Sequence, residues 1–149
     1  METEMEMLDK IGVIYWSNRE STEIMAEKIS NGIDGAGAKA ILLHVGDFDL
    51  KTTQSYAKIV LGCPELEGEA LNKNDFEPFF LSIEEHLKGK KIALFGSHEH
   101  EDDHWMTDWE NCVKDLGGIL FDKGLAILGD PDRQARRQCV EFGEEFARF

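Results

Sequence analysis

Residues 11–33 read Ile11-Gly12-Val13-Ile14-Tyr15-Trp16, then Ser17-Asn18-Arg19-Glu20-Ser21-Thr22, then Glu23-Ile24-Met25-Ala26-Glu27-Lys28-Ile29-Ser30-Asn31-Gly32-Ile33. The first piece is a short apolar run, the pattern of a strand covered on both faces. The last piece puts Met25, Ala26, Ile29 and Ile33 on one helical face, and the glycines from Gly35 to Gly37 stop it. Between them lies a polar turn, in which Ser21 or Thr22 is a candidate helix cap. Buried strand, polar turn and amphipathic helix, in that order, form the first half of a parallel crossover.

The alternation recurs along the chain. Further buried strands are expected at Ile41-Leu42-Leu43-His44-Val45, Lys58-Ile59-Val60-Leu61-Gly62, Ile92-Ala93-Leu94-Phe95-Gly96 and Leu125-Ala126-Ile127-Leu128. Helical spacing joins Phe80, Ile83 and Leu87, and again Trp105, Trp109, Val113 and Leu116. Asp130 before Pro131 reads as a cap followed by a helix-starting proline, and Ala135, Cys139, Phe142 and Phe146 form the stripe of a last helix. The expectation is an α/β fold with a doubly wound parallel sheet and helices on both faces. Ligands of such folds bind outside the carboxyl ends of the strands. That directs attention to the turns at 17–22, 64–69 and 97–104.

The 149 residues fit a single domain spanning 1–149, with 1–9 a short flexible N-terminal extension. Thirty acids against 16 bases give a formal charge of −14. Such a surface repels nucleic acid and anionic membrane and steers basic protein partners toward it. Cys63, Cys112 and Cys139 are scattered in apolar patterns with no CxxC pair, as expected of reduced thiols in a cytoplasmic protein. Met1 to Asp9 is acidic, unlike a secretory signal, and no apolar run reaches membrane-spanning length.

Five segments resemble the short-chain bacterial flavodoxins. They are Ile14-Tyr15-Trp16-Ser17 with Thr22-Glu23 and Met25-Ala26-Glu27; Leu61-Gly62-Cys63; Phe76-Glu77-Pro78-Phe79; Lys90 through Ser97 with Trp105-Met106; and Cys139-Val140-Glu141-Phe142-Gly143. They follow the family's order and spacing over nearly the whole chain after Lys10. The resemblance implies a three-layer sandwich with a five-stranded parallel sheet in order 2-1-3-4-5. It also implies non-covalent FMN, and one-electron transfer between redox proteins rather than catalysis on a substrate.

By the same resemblance, Ser17, Asn18, Arg19, Ser21 and Thr22 occupy the phosphate loop, with Arg19 and Glu20 standing where the family has threonine and glycine. Such a loop works by aiming backbone N–H groups and hydroxyls at an anion beside a helix N-terminus. Leu66, Glu67, Gly68 and Glu69 fall on the second flavin loop, with Glu67 on the family's glycine and Glu69 on the acid that reads the flavin edge. Ser97, His98 and His100 fall on the third loop, where His100 takes the place of the stacking aromatic. Trp105 matches a family tryptophan, and its spacing with Trp109 gives it a packing role.

Taken without the family, the three turns carry eight acids, Glu20, Glu65, Glu67, Glu69, Glu99, Glu101, Asp102 and Asp103, against Arg19 and three histidines. That balance favours cations over a phosphate ester. Two alternatives to the FMN carrier therefore stand. One is a flavin-free interaction module on the same fold. The other is a metal-binding variant using His98, His100 and His104, whose imidazoles suit zinc, nickel or copper but whose spacing matches no strong motif.

Overall fold

The computed structural model describes residues 10–15, 20–44, 56–62, 82–99 and 104–149. Its elements are β1 (Lys10–Tyr15), α1 (Glu20–Gly35), β2 (Lys39–His44), β3 (Lys58–Gly62), a 3-10 turn (Glu84–His86), β4 (Lys91–His98), α2 (His104–Asp115), β5 (Ile119–Leu120), β6 (Leu125–Leu128) and α3 (Arg133–Arg148). All pairings are parallel, in the order β2-β1-β3-β4, with β5 and β6 both on β4.

Residues alternate across the sheet with the strand period of two. Ile11, Val13, Tyr15, Val60, Ala93 and Phe95 face α1 and α3, whose Met25, Ala26, Ile29, Ile33, Cys139, Phe142 and Phe146 complete that core. Ile14, Ile59, Leu61, Ile92 and Leu94 face the opposite layer, built from Ile83, Leu87 and the α2 residues Trp105, Trp109 and Val113. The expected helical stripes are thus buried, and the architecture is the expected three-layer α/β sandwich.

α1 and α3 lie side by side on one face and approach closely at two glycines. A Cβ on Gly32 would stand 2.0 Å from the Val140 carbonyl oxygen, and one on Gly143 would stand 2.1 Å from that of Ile29. No larger residue allows that approach.

Three expectations need correction. The fifth place in the sheet is divided: β5 pairs with Lys91 and Ile92, and β6 with Phe95 through His98. Between them Phe121 turns its ring onto Phe142 and Phe146, at 5.5 and 5.4 Å between centroids, and Asp122 adopts φ 48. The aromatic packing and the left-handed residue break the ladder. Second, α1 begins at Glu20, so Ser21 and Thr22 lie inside its first turn and are not its cap. Third, α3 is capped by Asp132, which accepts from the Ala135 N–H at 2.8 Å, and not by Asp130. Among the described residues no helix is long and apolar enough to cross a membrane.

Candidate functional site

The strand order reverses at β1, which pairs with β2 on one side and β3 on the other. At the carboxyl edge Tyr15 lies opposite Gly62, and Gly62 opposite Phe95. The turns leaving β1, β3 and β4 therefore start from adjacent strand ends, the place where doubly wound sheets bind ligands. β6 ends at the same edge, with Leu128 opposite His98.

Four of the expected site residues are described, and three of them meet there. Thr22 Oγ1 on α1 and Ser97 Oγ on β4 are 3.0 Å apart, both buried. Ser21, also buried, donates its hydroxyl to the Asp130 carboxylate just past β6. Two side-chain hydrogen bonds thus tie the start of α1 to the ends of β4 and β6. Ser17, Asn18, Arg19, Leu66, Glu67, Gly68, Glu69 and His100 lie outside the described residues, as do Val45, Trp16, Phe80 and Cys63.

His98, the fourth, turns inward. It is buried, and its ring lies 5.8 Å from that of Trp105. Trp105 is itself buried in the core, in keeping with its packing role, and its indole N–H has no partner among the described residues. His104 is exposed at the start of α2. Among the described residues no group of three His, Cys, Asp or Glu side chains is placed to hold a metal.

The donor set fits a phosphate group. The Thr22 and Ser97 hydroxyls use one O–H hydrogen between them, which leaves the second available to an acceptor. They sit at the first turn of α1, where unpaired backbone N–H groups and the helix dipole favour an anion. Asp130 is the residue that sequence reasoning missed, because its place before Pro131 made it a cap. The available signal was its position just after the last strand, on the same edge as the other turns.

Fold and site together define a doubly wound α/β domain with an anion-receiving helix start at its switch point. The Flavodoxin family model matches residues 13–143. The chain is 35% identical to the flavodoxin of Clostridium beijerinckii, covering 91% of this chain and 97% of that protein. It is 34% identical to the flavodoxin of Megasphaera elsdenii, covering 93% and 98%. The solution structure of two-electron reduced Megasphaera elsdenii flavodoxin superposes with a TM-score of 0.82, over 93% of this chain and 99% of that one, at 34% identity. A flavodoxin from the domain Archaea gives a TM-score of 0.78 at 25% identity, covering 93% and 96%. The chain belongs to the flavodoxin family, and it is a flavodoxin-like electron carrier that binds FMN. The match favours that function over the flavin-free and metal-binding alternatives.

Proposed function

We propose that the single domain holds FMN outside the carboxyl ends of β1, β3 and β4 and passes electrons to redox proteins with basic surfaces. Bound FMN supplies the one-electron chemistry; the chain supplies binding, orientation and exclusion of water. Ser17, Asn18, Arg19, Ser21 and Thr22 hold the phosphate, with Ser97 supporting Thr22. Leu66 and His100 flank the ring, Glu67 and Gly68 shape the second turn, and Glu69 contacts the ring edge. His98, buried at the end of β4, packs against Trp105.

The observation that carries this reading is the Thr22–Ser97 hydroxyl pair at the N-terminus of α1, in a chain matched by flavodoxins over nearly its full length. The formal charge of −14 supports a basic partner, whose approach it would accelerate. The unpaired thiols of Cys112 and Cys139 support a cytoplasmic setting.

Titration of the apoprotein with FMN, read by quenching of flavin fluorescence, tests the assignment. Saturation at about micromolar FMN or below is expected. Absence of quenching at several hundred micromolar would remove it. Thr22→Val, which deletes one hydroxyl of the pair, is expected to weaken binding about tenfold.

A further inference from the structure

A second charged feature involves none of the residues assigned to the crevice. A cleft of about 330 Å³ between α1 and α3 is lined by Lys28, Arg133, Arg136, Arg137 and Val140. Four of the chain's 16 bases thus line one cleft, and among the described residues no acid lines it, although acids number 30. Arg136 donates from Nε to the Pro131 carbonyl at 3.1 Å. Among the described residues no hydrogen bond or ion pair engages the side chains of Lys28, Arg133 or Arg137.

Without a ligand this arrangement is mildly unfavourable, because the three arginines are solvent-exposed. Like charges brought together repel, and bases near a helix N-terminus oppose its dipole. The Asp132 cap offsets part of this, while the first turn of α3 itself holds no acid. A compact anion with several charges would satisfy all four groups at once.

We propose that this cleft binds the oligophosphate group of a small molecule, as in a nucleoside triphosphate or inorganic tripolyphosphate. Guanidinium forks match phosphate oxygens two at a time, and three of them converge here. The volume lies at the low end for small-molecule sites, enough for a chain of phosphates. Among the described residues Val140 is the only apolar one lining the cleft, which offers little surface to a base or ring. Recognition therefore rests on the phosphates, and a nucleotide gains little over the inorganic chain. The residues lining it are distinct from those assigned to the flavin crevice.

The test is calorimetric titration of the full chain at about physiological salt with tripolyphosphate, ATP, orthophosphate and hexaglutamate. Saturable binding of tripolyphosphate and ATP with similar Kd, about 10–100 μM, is expected, with orthophosphate at least about tenfold weaker. If ATP alone binds, the cleft reads the nucleoside and the phosphate-only recognition is overturned. If hexaglutamate binds as tightly as tripolyphosphate, the occupant is an acidic protein segment and the proposal fails. No binding of either oligophosphate at about 5 mM also overturns it.

The exposed pair is then changed to Arg133→Glu with Arg137→Glu, and separately to Arg133→Gln with Arg137→Gln. Both are expected to lower tripolyphosphate affinity at least about tenfold while leaving FMN affinity within about twofold. Unchanged tripolyphosphate affinity in both pairs, or displacement of FMN by tripolyphosphate, would place the phosphates elsewhere. The FMN titration reads the crevice separately, so failure of one site leaves the other standing.

Discussion

Asp130 sits at the junction where the chain's chemistry is most constrained. Its carboxylate accepts from Ser21, one of the hydroxyls assigned to the phosphate, and it brings a negative charge to the start of α1. Both effects oppose an incoming phosphate. Asp130 is exposed, so solvent limits the repulsion to about 1 kcal/mol or less. Asp130→Asn keeps an oxygen for Ser21 and removes the charge. It is expected to lower the Kd for FMN about two- to fivefold in the fluorescence titration. Weaker binding would show instead that the carboxylate orients Ser21 for the phosphate. Sequence could rank Ser21, Thr22 and Ser97 as site residues because they fall in the turns after the first and fourth strands, on the loops that the flavodoxin resemblance implies. It could not rank Asp130, because cap and site residue share one composition, and only the fold brings residues 21 and 130 together. The inward turn of His98 was hidden for a related reason: β4 runs on to His98, past the apolar run that ended the expected strand at Gly96.

The paired helices α1 and α3 are where the fold has least tolerance. Gly32 and Gly143 each bring a backbone carbonyl of the other helix to a distance that no Cβ permits. Rigid helices seated on one sheet face cannot separate without opening the contacts of Met25, Ile29, Cys139 and Phe142 beneath them. Gly143→Ala is therefore expected to destabilise the fold by about 3 kcal/mol, despite alanine's better helix propensity. Urea unfolding checks this, and a gain in stability would show that the helices slide freely. The strands β1 to β4 were legible because buried parallel strands are apolar on both faces. The interruption between β5 and β6 was not, because Phe121 leaves the ladder for rings some twenty residues further along the chain. At the opposite end of α3, Lys58 on β3 donates to the carbonyls of Phe146 and Ala147 at 3.3 and 2.9 Å, a tertiary cap that no local pattern announces.

The molecule as a whole joins a formal charge of −14, a basic helical cleft and an apolar interior whose one fully buried described thiol titrates late. Burial raises the Cys139 thiol from its ordinary 9.0 to about 11. Between those values the unfolded chain releases the proton and the folded chain keeps it. The folded state then binds more protons, so stability falls as pH rises. The contribution is whole below about pH 9, smaller by about 1.4 kcal/mol at pH 10, and lost by the time pH passes about 11. Other groups titrate in the same window. Burial raises the Tyr56 hydroxyl, which acts with the same sign. Burial, with the neighbouring Lys91 charge, lowers Lys58, which acts with the opposite sign because the unfolded chain then holds more protons. A single pH curve would mix these three with the raised Cys112 thiol and the lowered Lys90 amine. Comparison with Cys139→Ala isolates the thiol, since the other groups are common to both chains. The variant loses a pH-independent packing term, so it is the less stable at pH 8. The gap between the two chains in urea unfolding is expected to narrow by about 1.4 kcal/mol between pH 8 and pH 10. A constant gap would mean that the thiol ionises as readily in the folded chain as in the unfolded one, and that the core under α3 admits water.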